Sequence, residues 1–445
     1  MNFRKYKINY RHSVVGANTK IPLKSGKMVT AINFDNAATT PPFSSVMEAI
    51  NNFAPWYSSI HRGTGFKSQY SSEVYEKSRR EILNFVGAPE EYYTAILVKN
   101  TTEAINKLSY RFCSSFKNCV VLSSDMEHHS NDLPWRNKYA VDYINIDSNG
   151  RLSLEDLENK LKVYNGAVKL VTITGASNVT GYINPVHKIA EIVHKYNSKI
   201  LVDGAQLVPH ISFNMGSLDG EDYIDFLVFS AHKMYAPFGI GVLIGDHETF
   251  IKGDPEYKGG GTIKVVTHDF ISWDDPPQKE EAGSPNIMGV VALAASIKTL
   301  TSLKMSNIEL YEQSLTNYTL MRLKEIPDVV VYTHSENTKD HVGIIPFNIP
   351  GIHHSIVARI LSDEAGIAVR NGCFCAHPYL QKLLDIPKEE IKSLSENPNQ
   401  PRPGMVRISF GLYNLYDEVD ILINRLKKIC KNKDYYINKY KEFIQ

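Results

Sequence analysis

The chain has 445 residues, 43% of them hydrophobic and 22% charged, enough for one large domain and a smaller one. A formal net charge of +1 gives no overall pull toward nucleic acid or an anionic membrane. No apolar run approaches the roughly 18–20 residues that cross a bilayer, Met1 to Lys27 lacks the apolar stretch of a secretory signal, and five cysteines make no disulfide framework. A reducing, cytoplasmic setting is therefore expected.

Residues 1–30 are polar and read as a loosely ordered arm. From about Asn33 to Gly289 short apolar runs alternate with loops and helical stretches. The runs are Thr94 to Val98, Cys119 to Leu122, Val168 to Ile173, Lys199 to Val202, Phe226 to Phe229 and Gly241 to Ile244. Such runs, separated by helices, predict an α/β unit over residues 31–290 with a largely parallel sheet covered on both faces. The stretch Glu73 to Phe85 has helical spacing and ends at Gly87-Ala88-Pro89. Beyond Pro285 the pattern changes to two helices (Met288 to Leu303, Asn307 to Ile326) and strands near Val329 to Tyr332 and Val342 to Phe347. A helix from Ser355 to Glu364, strands near Ile367 to Arg370 and Met405 to Ser409, and a helix from Leu415 to Lys428 follow, predicting a smaller α+β domain over residues 291–445. Lys388 to Gly404, rich in Ser, Asn, Pro and Glu, reads as a mobile loop or a tolerated insertion. The Lys- and Tyr-bearing tail from Arg425 to Lys441 reads as a solvated amphipathic helix.

Ligands of open parallel sheets bind beyond the carboxyl ends of the strands, and polar residues follow five of the predicted strands. Asn100-Thr101-Thr102-Glu103 opens a helix and suits either a phosphate or a plain N-cap. Glu127-His128-His129-Ser130 offers an imidazole to an aromatic ring; no third ligand at suitable spacing supports zinc. Ser177-Asn178-Val179-Thr180-Gly181 reads as a turn, and Asp203-Gly204-Ala205-Gln206 as a cap or a carboxylate for a ligand. Ser230-Ala231-His232-Lys233 carries a lysine behind apolar strands, where burial favours the neutral amine that a Schiff base requires. Gly239 and Gly241 resemble a dinucleotide fingerprint but precede a strand instead of opening a helix.

One ligand accounts for all five positions. Pyridoxal 5'-phosphate (PLP) needs a lysine for its aldehyde, a carboxylate for its pyridine nitrogen, a phosphate cradle and a flat group against its ring. Asp203 and Lys233, at the ends of successive strands, supply the first two.

At these residues the sequence resembles the cysteine desulfurases among the class V, fold-type I PLP enzymes, from about Phe34 to near the end of the chain. The resemblance is carried by FDNAATTPP (from Phe34), HRGTGF (from His61), NTTEAIN (from Asn100), MEHHSNDLPW (from Met126), SNVTG (from Ser177) and VDGAQ (from Val202). It continues through FSAHKMYAPFGIG (from Phe229), GGGT (from Gly259), EAGSPN (from Glu281), GIAVRNGCFCAHP (from Gly366) and VRISFGLYN (from Val406). It implies a large, mainly parallel seven-stranded sheet domain with a smaller α+β C-terminal domain, and a homodimer. It further implies that Lys233 bonds the PLP aldehyde, Asp203 pairs with the ring nitrogen, His128 stacks on the ring and Gln206 bonds the phenolic oxygen. Thr101, Thr102, Ser230 and His232 would hold the phosphate, with Ser284 reaching the phosphate of the neighbouring subunit. Arg407, together with Arg370 and Asn178, would bind the substrate, L-cysteine. Cys375 would be the nucleophile that takes the sulfur as a persulfide, to be passed to a protein acceptor.

The segment Arg370-Asn371-Gly372-Cys373-Phe374-Cys375 has Cys373-Phe374 where many relatives have histidines, which looks like the version in molybdenum-cofactor sulfurases. In an extended segment Cys373 and Cys375 would point to one side, so that Cys373 shares in sulfur handling or the pair oxidises. Within the same fold the rivals are an aminotransferase, a selenocysteine lyase or an epimerase; outside it, a non-catalytic sulfur carrier or scaffold.

Overall fold

The computed structural model describes residues 9–115, 119–333, 338–397 and 400–444. Three short strands open the chain, β1 (Lys20–Pro22), β2 (Met28–Thr30) and β3 (Ile32–Asn33). The large sheet follows: β4 (Tyr93–Val98), β5 (Val120–Ser124), β6 (Ala140–Ile144), β7 (Val168–Thr174), β8 (Lys199–Asp203), β9 (Phe226–Ser230) and β10 (Gly241–Asp246). Its seven strands lie in the order β4-β10-β9-β8-β7-β5-β6. The run from β9 to β6 is parallel throughout, and β10 is antiparallel to both neighbours.

Every residue of β4, β9 and β10 is buried, as strands covered on both faces must be. Successive residues divide between two cores: Ala95 and Leu97 face the larger, Ile96 and Val98 the smaller. The smaller core is closed by the helix Thr101–Ser115 through Ala104, Ile105, Leu108 and Phe112. Gly241 has a definite job at the strand tips: a Cβ there would lie 2.5 Å from the Cα of Asn100, so only glycine lets that helix start close against β10.

A hairpin, β11 (Ile263–Val266) and β12 (Ile271–Trp273), leads to the long helices Ile287–Leu303 and Met305–Lys324. The smaller α+β part contains β13 (Val330–Val331), β14 (Ile344–Asn348), β15 (Ile367–Ala368), β16 (Arg370–Gly372) and β17 (Met405–Ser409). Four of these form the antiparallel sheet β13-β14-β17-β16, while β15 pairs with β3 in parallel. Beyond β3 the chain runs beside β17, with Asp35 bridged to Ser409. The amino-terminal segment is thus stitched to carboxyl-terminal strands next to the strand tips of the large sheet.

Two expectations are corrected. The described part of the first thirty residues is not a loose arm: Tyr10, Val14 and Ala17 are buried, β1 and β2 form a hairpin, and Arg11 pairs with Glu418. Of the two readings of Lys388 to Gly404, the mobile loop is the one corrected, since Lys388–Glu396 is a helix and the Arg402 and Pro403 carbonyls accept hydrogen bonds from His354 and Cys373. Among the described residues no single helix is long and apolar enough to cross a membrane.

Candidate active site

The carboxyl ends of β5, β7, β8 and β9 frame a cavity of about 540 Å³. The strand tips deliver Thr101, Thr102, His128, Asn178, Asp203 and Gln206 to it. Ser230, His232 and Lys233 come from the tip of β9, and Arg370, Cys375 and Arg407 from the smaller sheet and its loop. Of the site residues read from the sequence, only Ser284 lies elsewhere, lining a second cavity of about 540 Å³ with His61 and Arg62.

Asp203 ends β8 and Lys233 closes the short turn after β9, on adjacent parallel strands. Burial lowers the Lys233 ammonium to about 8, against the opposing pull of Asp203. Burial raises the Asp203 carboxyl, and Lys233 counters it; Oδ1 accepts from the Ala205 N–H at 3.0 Å. Each charge offsets part of the other's desolvation cost.

His128 is uncharged at neutral pH, held at about 3 by burial and by the neighbouring Lys233. Its Nδ1 accepts from the Ser130 N–H at 3.1 Å, which leaves the ring proton on Nε2. The Thr101 N–H donates to Ser230 Oγ at 2.8 Å, and the two hydroxyls share a hydrogen bond of 2.7 Å. Thr102 and Ser130 share another at 2.7 Å. Hydroxyls gathered at the N-terminus of a fifteen-residue helix suit an anion.

The Gln206 amide donates from Nε2 to the Ala37 carbonyl at 2.7 Å, and its Oε1 is buried with no partner among the described residues. Leaving such an oxygen unpaired costs about 1–3 kcal/mol, which a donor on a bound group removes. A buried amine, a facing carboxylate, a neutral flat ring, a hydroxyl-lined helix start and an orphaned acceptor in one cavity fit PLP.

The cysteine loop departs from the extended form expected of it. Phe374 and Cys375 have φ of 52° and 55°, and the Ala376 N–H donates to the Cys373 carbonyl at 3.0 Å. These describe a tight turn with both central residues left-handed, a conformation costing about 1–3 kcal/mol per residue that lacks glycine's freedom. Two hydrogen bonds hold it: Asn178 Nδ2 to the Phe374 carbonyl and the His129 N–H to the Cys375 carbonyl, each 2.7 Å. The two thiols sit in different surroundings. Cys375 is exposed, whereas Cys373 is half-buried, donates to the Pro403 carbonyl at 3.3 Å and has its thiol pushed up by burial.

Arg407 is buried on β17, donating from Nη1 to the Asn178 carbonyl at 2.8 Å and from Nη2 to Asp35 at 3.1 Å, with Nε unpartnered among the described residues. Burial brings its guanidinium down to about 10, opposed by Asp35. Its Cζ lies 4.9 Å from the centre of the Phe374 ring. Arg370 stands half-exposed, 3.5 Å from the same Asp35.

Sequence reasoning assigned no role to Asp35, His129, Phe374 or His377. His377 donates its N–H to His129 Nε2 at 3.3 Å, with the rings edge to face. All four lie within quoted motifs, the only signal the chain offered for them.

Compared with known proteins, residues 32–422 match the family model for aminotransferase class-V. A cysteine desulfurase of Haloferax volcanii is 32% identical over 421 residues, spanning 93% of this chain and 92% of the relative. A probable cysteine desulfurase of Halalkalibacterium halodurans is 34% identical over 91% of this chain and 94% of the relative. Among solved structures, the apo cysteine desulfurase of Thermococcus onnurineus NA1 superposes with a TM-score of 0.80 at 33% identity, covering 90% of this chain and 95% of that one.

Proposed function

The chain belongs to the class-V aminotransferase family, and from that membership we propose that it is a PLP-dependent cysteine desulfurase, taking sulfur from L-cysteine onto Cys375 and releasing L-alanine. The observation that carries this reading is the opening of Lys233, Asp203 and Cys375 onto one cavity. A thiol at that place serves sulfur abstraction and has no part in aminotransfer or epimerisation.

When bound, PLP supplies an aldehyde that takes up the substrate amino group and a ring that draws off electrons from Cα. Lys233 would hold the aldehyde; Asp203 would face the ring nitrogen and keep it protonated; His128 would offer its neutral face to the ring. Gln206 would lie beside the phenolic oxygen, and Thr101, Thr102, Ser230 and His232 would hold the phosphate. Arg407, with Arg370 and Asn178, binds the substrate carboxylate, for which a planar guanidinium fork is well shaped. Lys233 Nζ takes the proton from the substrate Cα, a task suited to an amine brought down to about 8.

Cys375 Sγ then attacks the sulfur on Cβ. An S–S bond forms as the C–S bond breaks, leaving a persulfide on Cys375, and protonation of Cβ yields the methyl group of alanine. Exposure of Cys375 leaves that persulfide within reach of an external acceptor protein. Ser284, outside this cavity, would serve the phosphate of a second copy of the chain, making the working form a homodimer. The cytoplasm, which keeps such a thiol reduced, is the compartment that suits it.

The test is direct. Protein reconstituted with PLP is expected to release L-alanine from L-cysteine and to lose this activity in Lys233→Ala. Full turnover by Cys375→Ser would overturn the sulfur route.

A further inference from the structure

Asp35 has no part in the mechanism above, yet it touches both substrate-binding arginines. Its Oδ1 accepts from Arg407 Nη2 at 3.1 Å, and its Oδ2 lies 3.5 Å from Arg370 Nη1. The backbone dictates this placement. Asp35 is bridged to Ser409, two residues from Arg407 along β17, while Arg370 on β16 is paired directly with Arg407. The Asp35 N–H also donates to Asn33 Oδ1 at 3.0 Å, and its carbonyl closes a turn with Ala38. The carboxylate is therefore held between two cations on rigid elements, behind the wall of the cavity and not in it.

The charge count follows. Asp203 and Lys233 oppose each other at the strand tips, leaving Arg370 and Arg407, among the described residues, as the other charged side chains lining the cavity. Two guanidiniums against the Asp35 carboxylate leave one net positive charge, the match for a single substrate carboxylate. Without Asp35 there would be two, enough to hold a dianion.

Resting on the reading of Arg407 and Arg370 as the carboxylate site, we propose that Asp35 is a positioning residue that sets substrate charge. Through the two arginines it admits amino acids with an uncharged side chain and disfavours those with an anionic one. The class admitted includes L-cysteine and L-alanine; the class turned away includes L-aspartate.

The test uses L-alanine and L-aspartate, which differ by one carboxylate on Cβ and carry no sulfur to transfer. Their dissociation constants are measured by calorimetry on PLP-loaded wild type, Asp35→Asn, Asp35→Glu, Arg370→Gln and Arg407→Lys. Wild type is expected to favour L-alanine. Asp35→Asn should shift the ratio toward L-aspartate by about tenfold, the scale of one nearby charge in a partly solvated site, and Asp35→Glu should restore it. A merely structural role would weaken both ligands together. If the arginine variants weaken L-alanine binding but Asp35→Asn leaves the ratio unchanged, this inference fails and the carboxylate site stands. If neither arginine variant affects L-alanine, the carboxylate site and this inference fall together.

Discussion

The backbone N–H of His129 donates to the carbonyl of Cys375 at 2.7 Å, joining the loop after β5 to the loop that carries the thiol. Asn178 fastens the preceding residue through Nδ2 on the Phe374 carbonyl. Two left-handed residues persist there because these donors hold them. Asn178→Ala is expected to loosen the turn and speed alkylation of Cys375 by iodoacetamide roughly fivefold, the population change that about 1 kcal/mol of lost hydrogen bonding allows. Peptide mass analysis over time measures the rate; an unchanged rate would place the restraint elsewhere.

Lys233 governs the pH at which the protein takes up its cofactor. Its ammonium lies at about 8 because burial outweighs the pull of Asp203, so the amine is charged below that pH and free to bond an aldehyde above it. The rate of PLP uptake by stripped protein, followed by absorbance, should rise with pH through about 8 and then level. A rise that continues toward the ordinary lysine range would contradict the burial argument.

Glu127, beside His128, is fully buried and raised to about 8 by burial, despite donors from Ser124, Asn131 and the Thr174 N–H. The folded protein therefore keeps a proton that the unfolded chain releases near 4.5. Stability from this group is fully present at low pH and is lost as pH rises from about 4.5 through about 8. Glu127→Gln should flatten that slope, seen as a smaller difference in urea midpoints between about pH 5.5 and 7.5. An unchanged slope would mean that Glu127 is ionised in the fold.

Glu281 ties the segment bearing Ser284 to the large sheet. It accepts from Arg79 Nη1 at 2.7 Å, the Leu97 N–H at 2.7 Å and the Tyr75 hydroxyl at 2.8 Å. Glu281→Ala removes one of the two carboxylates that face the buried Arg79, whose Nε still donates to Glu76 at 3.0 Å, and should destabilise the protein by about 1.5–3 kcal/mol in urea unfolding. A loss below about 1 kcal/mol, the scale of an exposed pair, would show that Glu76 alone satisfies Arg79.

Much of this was legible in the chain because fully buried strands leave continuous apolar runs, and β8 and β9 begin where Lys199 and Phe226 were expected to begin them. Chemistry collects at the tips of such strands, so Asp203 and Lys233 can be paired from the chain alone. The edge strand β6 escaped because Ala140–Ile144 is mostly half-exposed and Asp142 interrupts it, so it leaves no continuous apolar run. The turn at Phe374 and Cys375 escaped for a different reason. Neither residue favours a positive φ, and the donors that impose it come from Asn178 and His129, far away in sequence. Asp35 gained its meaning only when the segment after β3 was laid beside β17.

The most direct measurement is anaerobic incubation of PLP-loaded protein with limiting L-cysteine, followed by intact-mass analysis, peptide mapping and quantitation of alanine. One sulfur atom gained on the peptide containing Cys375, specifically at that residue, with one alanine formed for each sulfur bound, is the expected result. Sulfur found on Cys373 instead, or alanine formed by a Cys375→Ser variant at the wild-type rate, would contradict the account.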